Sequence, residues 1–121
     1  MVTGVHVIVY SREADELRAF FREVLQFPSV DAGHGWLIFA LPPSELGIHP
    51  TREEGSHELY LLCDDLAQTL AELQSRGVEM AEPVSDQAWG KLAAIRIPGH
   101  DILRIYEPRH PTALGIWSEQ R

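Results

Sequence analysis

The chain has 121 residues, of which 45% are hydrophobic and 23% charged, so it suits one domain with a core and is too apolar for a disordered chain. Its Lys and Arg residues number 10 and its Asp and Glu residues 18, and the formal net charge of −8 disfavours a nucleic-acid partner. No apolar run is long enough to cross a bilayer, and residues 1–10 lack a signal-peptide pattern. We therefore expect a cytoplasmic protein with no membrane partner.

The first half of the chain predicts a strand, a helix and three further strands. Residues 5–10 are β-branched and aromatic, which is typical of a strand. Apolar residues then recur at helical spacing from Leu17 to Leu25, so we predict an amphipathic helix that begins at Ser11 and ends before Pro28. Shorter strands are expected over 27–31, 36–41 and 46–49.

The second half repeats this order after a polar linker at 51–56. A strand is predicted over 58–63, and Asp65 with Gln68 three residues later resembles a capping box at the start of a helix. Leucines continue the apolar stripe of that helix as far as a stop at Gly77. The segments that follow are a strand over 78–84, a polar loop over 85–90, strands over 92–97 and 102–106, and a tail over 109–121.

The two halves also share their internal spacing. His6 lies seven residues before Glu13, and Glu58 lies seven residues before Asp65. One half is too small to bury both sides of its own sheet, so the two halves should pack together. The repeat predicts an α+β fold of two tandem βαβββ modules in one domain over 1–121, with module one at about 4–50 and module two at about 57–108.

This duplicated pattern resembles the vicinal oxygen chelate superfamily, which includes glyoxalase I, bleomycin-resistance proteins, fosfomycin-resistance transferases and extradiol dioxygenases. The resemblance extends from about Val5 to Pro108. It is carried by five motifs, namely His6–Tyr10, Phe20–Phe27, Asp64–Leu66, Arg76–Val78 and Ile105–Pro108. It implies that the two modules form a cupped mixed sheet, and it specifies the fold better than the reaction, because this fold hosts several chemistries.

In that superfamily, metal ligands come from the first and last strands of the modules. By resemblance, the ligands here are His6, His49, Glu58 and Glu107. Two imidazoles and two carboxylates in one cavity would suit a divalent Zn, Ni, Mn, Co or Fe ion. A one-residue change of register would turn His57 inward in place of Glu58, although the matching seven-residue offset favours Glu58. Glu107 follows Leu103 and Ile105 at alternate positions, so alternation alone leaves its direction open.

Two functions lead among those compatible with this pattern, and a third possibility is a divergent member that mainly assembles with partners and whose cavity is filled by side chains. In the first, the ion is a Lewis acid that chelates neighbouring oxygens of a small molecule, with Glu58 or Glu107 as general base, as in a lyase, an isomerase or a dioxygenase. In the alternative, a metal-free protein of the bleomycin-resistance type sequesters an aromatic or cationic compound in an acidic groove. Tyr10 and Trp89 are the expected substrate-binding residues, since aromatic walls suit planar ligands. Both functions predict a homodimer that covers sheet edges and apolar surface.

Several other residues are expected to have no direct role in the site. We predict that Trp36 packs in the core or at an interface, and that His110 in the tail is solvated. Cys63 is the single cysteine, so it has no internal disulfide partner. No basic residue lies beside it in the sequence to lower its pKa, and we therefore expect a buried, unreactive thiol.

Overall fold

The structure, a computed structural model, describes residues 6–115 and has an α+β fold. The first half forms helix α1 (Ala14–Ala19), a π-helical segment (Phe20–Val24) and strands β1 (Ser29–Asp31) and β2 (Leu37–Phe39). The second half forms β3 (Tyr60–Leu62), α2 (Leu66–Ser75), β4 (Met80–Gln87), β5 (Gly90–Ile97) and β6 (Asp101–Pro108). The second half therefore has the βαβββ order that the sequence predicts for one module. Neither described helix has the length and apolar character needed to span a bilayer.

The first half departs from its predicted strands at both ends. Residues 6–10 and 46–49 form no strand, and β1 pairs only with β2. A strand needs a neighbour for its backbone N–H and C=O groups, and neither segment has a strand partner within 6–115. Their apolar side chains stay exposed, as the 87% exposure of both Tyr10 and Ile48 illustrates. The two strand predictions are therefore wrong for the single described chain.

Helix α1 begins later than the sequence predicts. It starts at Ala14, and Glu13 is the residue that precedes it. The hydroxyl of Ser11 accepts a hydrogen bond from the Glu13 N–H at 3.1 Å, so Ser11 forms a turn before the helix instead of capping it. The predicted apolar stripe is present, because Leu17 and Phe20 are both buried in the core.

Helix α2 forms with the expected cap and stop. The Asp65 carboxylate accepts a hydrogen bond from the Gln68 N–H at 3.0 Å, which satisfies one of the free donors in the first turn. Leu66, Leu70 and Leu73 are buried on one side of the helix. The chain then leaves the helix at Gly77, whose φ of 87° is easily reached only by glycine.

The core lies between the helices and one face of a four-stranded sheet ordered β3-β6-β5-β4. Strands β3 and β6 run parallel, and the other neighbours are antiparallel. Because side chains alternate along a strand, Ile95, Ile105 and their alternate neighbours face the helices. The other face of this sheet is called the open face below.

Strands β4 and β5 form a tight hairpin where a longer loop was expected. Gln87 pairs with Gly90, so the turn contains only Ala88 and Trp89. A Cβ atom at Gly90 would collide with the backbone carbonyl oxygen of Glu107, on the next strand. The prediction of a polar loop over 85–90 is therefore wrong, because the pairing of β4 with β5 continues to Gln87 and Gly90 and leaves a turn of two residues. Gly90 also permits the close approach of β5 to β6.

Candidate ligand-binding site

The open face carries a row of aromatic side chains at one end. Tyr60 on β3 and Tyr106 on β6 project there, and their rings lie 5.7 Å apart at an interplanar angle of 87°. Trp89, in the β4–β5 turn, lies 5.1 Å from the Tyr106 ring at 86°. Edge-to-face contacts of this kind stabilise aromatic groups by about 0.5–1.5 kcal/mol beyond the area they bury. The ring of His110, 5.9 Å from that of Tyr106, completes what we call the aromatic cluster: Tyr60, Trp89, Tyr106 and His110.

His110 is fixed to this cluster by two hydrogen bonds. Its Nε2 lies 3.1 Å from the Tyr106 hydroxyl, and its Nδ1 lies 2.8 Å from the carbonyl oxygen of Pro111. The tail that carries it is held by Arg109, which donates through its backbone N–H to the Trp89 carbonyl at 2.9 Å and pairs with the carboxylate of Asp86. His110 was predicted to be solvated. It is half-buried against Tyr106, so that prediction is wrong.

A cleft of about 370 Å³ adjoins the aromatic cluster at His110. Its walls are the segment Glu45–Gly47 and the tail His110–Ala113. Glu45 joins the two walls, because its carboxylate accepts a hydrogen bond from the Ala113 N–H at 2.6 Å. The cleft is shallow and open to solvent over much of its extent.

Burial and nearby acids shift both phenols of the cluster in the same direction. Burial raises the pKa of Tyr106, and the charge of Glu45 raises it further. The pKa of Tyr60 is also raised, first by burial and then by the charge and hydrogen bond of Glu58. Both side chains are therefore neutral phenols throughout the physiological range.

One of the positive charges on the open face is paired. Arg104, which follows Leu103 on β6, forms an ion pair with Glu82 on β4 at 3.3 Å. Ala94 lies between these two residues in the strand register and is fully buried. This part of the face is therefore closed by a side-chain bridge, whereas the end with the aromatic cluster is open.

The predicted metal ligands lie apart in the described chain. His6 and His49 are exposed in the two segments that form no strand, and His57 is exposed as well. The exposed carboxylate of Glu58 accepts a hydrogen bond from the Tyr60 hydroxyl at 3.3 Å. Among residues 6–115, no three His, Cys, Asp or Glu side chains gather as a metal ion would require. These side chains do not fit a metal centre within the single described chain, and the ligand set stays a prediction.

Glu107 has a different environment from the other three candidates. It lies on the same side of β6 as Ile105, and one carboxylate oxygen accepts a hydrogen bond from the Leu66 N–H at 2.9 Å. Leu66 is the first residue of α2, so the charge of Glu107 lies at the positive end of that helix dipole. The carboxylate is thus engaged on the helical side of the sheet.

The two predicted substrate-binding residues, Tyr10 and Trp89, lie in different surroundings. Tyr10 is exposed in an unpaired segment, whereas Trp89 belongs to the aromatic cluster and is 41% exposed. Trp36, predicted to be packed, is exposed, and the Arg18 guanidinium lies 4.7 Å from the centre of its ring. Tyr60 and His110 were not predicted from the sequence as site residues. Because side chains alternate along a strand, the face on which Tyr60 lies could have been predicted. The contact of His110 depends on the path of the chain after β6.

Comparisons with known proteins agree with this architecture. The model of the Glyoxalase/Bleomycin resistance protein/Dioxygenase superfamily matches residues 4–110, so the chain belongs to this superfamily. A comparison with curated proteins finds no match.

Two solved structures illustrate the range of proteins that share the fold. TnmS3, an antibiotic-binding protein from Streptomyces sp. CB03234, is 24% identical with a TM-score of 0.64, over 88% of this chain and 97% of that one. The lactoylglutathione lyase structure from Agrobacterium tumefaciens is 14% identical with a TM-score of 0.63, over 87% and 92% of the two chains. At these identities the likeness establishes the fold alone.

Proposed function

We propose that this protein binds a planar aromatic small molecule on the open face, without a metal ion. The observation that carries the proposal is the aromatic cluster, in which Trp89 stays 41% exposed although it packs edge-to-face against Tyr106. An exposed indole held at a fixed angle offers a flat apolar surface at little conformational cost. The open cleft beside His110 adjoins this surface.

The comparisons are compatible with this proposal. TnmS3, which shares the fold, is described as an antibiotic-binding protein, and the match extends over 97% of that chain. The net charge of −8 favours ligands that carry positive charge. We therefore favour a sequestering role, which was the alternative function from the sequence, over catalysis.

The metal-dependent lyase, isomerase or dioxygenase predicted first has less support within one chain. Glu107 is engaged by the Leu66 N–H, and His6 and His49 are exposed in segments that form no strand. We derive no reaction step through a metal ion from this arrangement. Addition of Ni, Zn, Mn, Co or Fe(II) salts to the purified protein should leave its melting temperature unchanged. A saturable rise with one of them would favour the metalloprotein instead.

Fluorescence of the indoles tests the binding proposal directly. Planar aromatic compounds should quench the emission of the protein and raise its melting temperature in metal-free buffer. The Trp89→Phe variant should lose most of the quenching and weaken binding about threefold to tenfold, since the larger ring supplies part of the contact. Trp36→Phe is the matched control, because Trp36 lies beside Arg18 and outside the aromatic cluster. Equal losses in both variants, or no binding at all, would contradict the proposal.

We also propose that the protein is a homodimer in the cytoplasm. Residues 7–10 expose apolar side chains in a segment that has no strand partner within 6–115. A second copy would cover this surface and supply the missing strand neighbours. Size-exclusion chromatography with light scattering should give twice the chain mass of 13.6 kDa. A monomer at micromolar concentration would contradict the dimer.

A further inference from the structure

Both phenols of the aromatic cluster donate their protons to acceptors of the protein itself. The Tyr60 hydroxyl donates to the carboxylate of Glu58 at 3.3 Å. An ionised carboxylate can only accept, so the proton in this contact belongs to the phenol. The Tyr60 oxygen keeps its lone pairs and has no second proton to offer a ligand.

The direction of the contact between Tyr106 and His110 follows from Pro111. The Nδ1 of His110 lies 2.8 Å from the Pro111 carbonyl oxygen, and a carbonyl oxygen can only accept. Nδ1 must therefore carry the proton of a neutral ring, and Nε2 is left with a lone pair. The Tyr106 hydroxyl, 3.1 Å from Nε2, donates to it. The tail thus turns the Tyr106 oxygen into an acceptor as well.

The charged groups around the cluster also favour a ligand that donates hydrogen bonds. Arg104, the cation near Tyr60 on the open face, is paired with Glu82. Glu45 lines the adjoining cleft, and one of its carboxylate oxygens contacts the Ala113 N–H. A ligand on the aromatic cluster therefore meets aromatic rings and phenol oxygens, with the carboxylate of Glu58 beside Tyr60 and that of Glu45 in the cleft next to His110.

We infer that the aromatic cluster selects planar aromatic cations that present N–H donors, because Glu58 and His110 take up the protons of both phenols. This inference rests on the proposed binding function and adds the chemical class of the ligand to it. His110 is a positioning residue here: it orients the Tyr106 proton and leaves the Tyr106 oxygen free to accept from the ligand.

Three planar tricyclic probes separate charge from hydrogen bonding. Proflavine is a cation with two exocyclic amino groups, acridine orange is its tetramethylated cation, and 9-anthracenecarboxylate is an anion. Titration of the full chain should give a dissociation constant for proflavine about tenfold lower than for acridine orange, as expected for one or two additional hydrogen bonds. The carboxylate should bind more weakly than both cations.

Two variants assign this preference to the phenol of Tyr106. Tyr106→Phe keeps the ring and removes the acceptor, so proflavine should lose most of its advantage while acridine orange binds as before. His110→Leu frees the phenol proton, which should reduce the same ratio and improve binding of the carboxylate. Trp36→Phe is the control, because Trp36 lies beside Arg18 outside the cluster and its replacement should change neither ratio.

The possible outcomes separate this inference from the binding proposal. Equal affinity of the wild-type protein for proflavine and acridine orange would overturn the inference and leave aromatic binding intact. A preference that survives in Tyr106→Phe would reflect the size of the methyl groups and would also overturn it. Failure of all three probes to bind would contradict the proposed function itself. If Tyr106→Phe does not fold, His110→Leu supplies the comparison, and an unchanged proflavine preference in that variant would likewise overturn the inference.

Discussion

The carboxylate of Glu107 accepts a hydrogen bond from the backbone N–H of Leu66, which joins the end of β6 to the first turn of α2. The contact is partly buried and charged, and such hydrogen bonds contribute about 1.5–3 kcal/mol. It gives Glu107 a structural role that needs no metal ion.

Glu107→Ala should therefore lower the free energy of unfolding by about 1–3 kcal/mol, because the Leu66 donor loses its charged partner. Denaturant unfolding followed by circular dichroism measures this change. Glu58→Ala is the control, since Glu58 is exposed and should change stability by less than about 0.5 kcal/mol. Equal stability of the two variants would contradict a capping role for Glu107.

Gly90→Ala should destabilise the protein by about 1–3 kcal/mol, the usual cost of forcing an extra group into a packed contact. A Cβ at this position would meet the backbone of Glu107, which cannot move without disturbing the β5–β6 pairing. Gly55→Ala is the matched control, because a Cβ there has no atom within 4 Å. Thermal unfolding of both variants checks the prediction, and a neutral Gly90→Ala would mean that the two strands are further apart.

The thiol of Cys63 should react slowly in the folded protein. Burial raises its pKa, and the charges of Glu107 and Asp64 act in the same direction, although contacts with Thr69 and Asp65 oppose them. Ellman's reagent at pH 8 should label the native protein far more slowly than the denatured protein, since the thiolate is the reactive form. Equal rates in the two states would contradict the raised pKa.

The same shift predicts how stability changes with pH. A pKa raised by folding contributes stability that is complete below the unfolded value and is lost as the pH rises through the folded value. For Cys63 this loss begins above about pH 8.5. Cys63→Ala should remove that part of the pH dependence, so an unchanged profile in the variant would show that another group is responsible.

The two phenols of the aromatic cluster should ionise late. Burial and nearby acids raise the pKa of both Tyr60 and Tyr106 above the ordinary value of about 10, so stability should fall as the pH rises beyond it. Absorbance of phenolate at 295 nm follows this titration for the 3 tyrosines of the chain. Tyr106→Phe should remove part of the absorbance rise that occurs above the ordinary pKa of about 10. Loss of a part that titrates at lower pH would contradict the raised pKa of Tyr106.

The elements predicted best from the sequence are those fixed by local patterns. Helix α2 begins after Asp65 and ends before Gly77 as expected, because its cap and its stop depend on neighbouring residues. Strands β5 and β6 extend only slightly beyond the predicted ranges 92–97 and 102–106. The segments 6–10 and 46–49 have the composition of strands, but a strand also needs a neighbour, and composition does not supply one.

The candidate site was harder to predict than the fold. Alternation left the direction of Glu107 open, and its contact with Leu66 depends on how the sheet meets the helix. His110 contacts Tyr106 only because the tail turns back over β6 and is held there by Arg109. The contact between Glu107 and Leu66 joins residues that are 41 positions apart, and no short motif connects them. Trp89, in contrast, could be singled out from its local surroundings.

Chemical-shift mapping tests the central claim most directly. In proton–nitrogen spectra recorded during titration with proflavine in metal-free buffer, the indole N–H of Trp89 and the backbone N–H groups of Tyr60 and Tyr106 should shift in a saturable manner. The indole N–H of Trp36 should stay unchanged. Shifts confined to residues outside the open face, or shifts that appear only after a divalent metal is added, would contradict metal-free binding at the aromatic cluster.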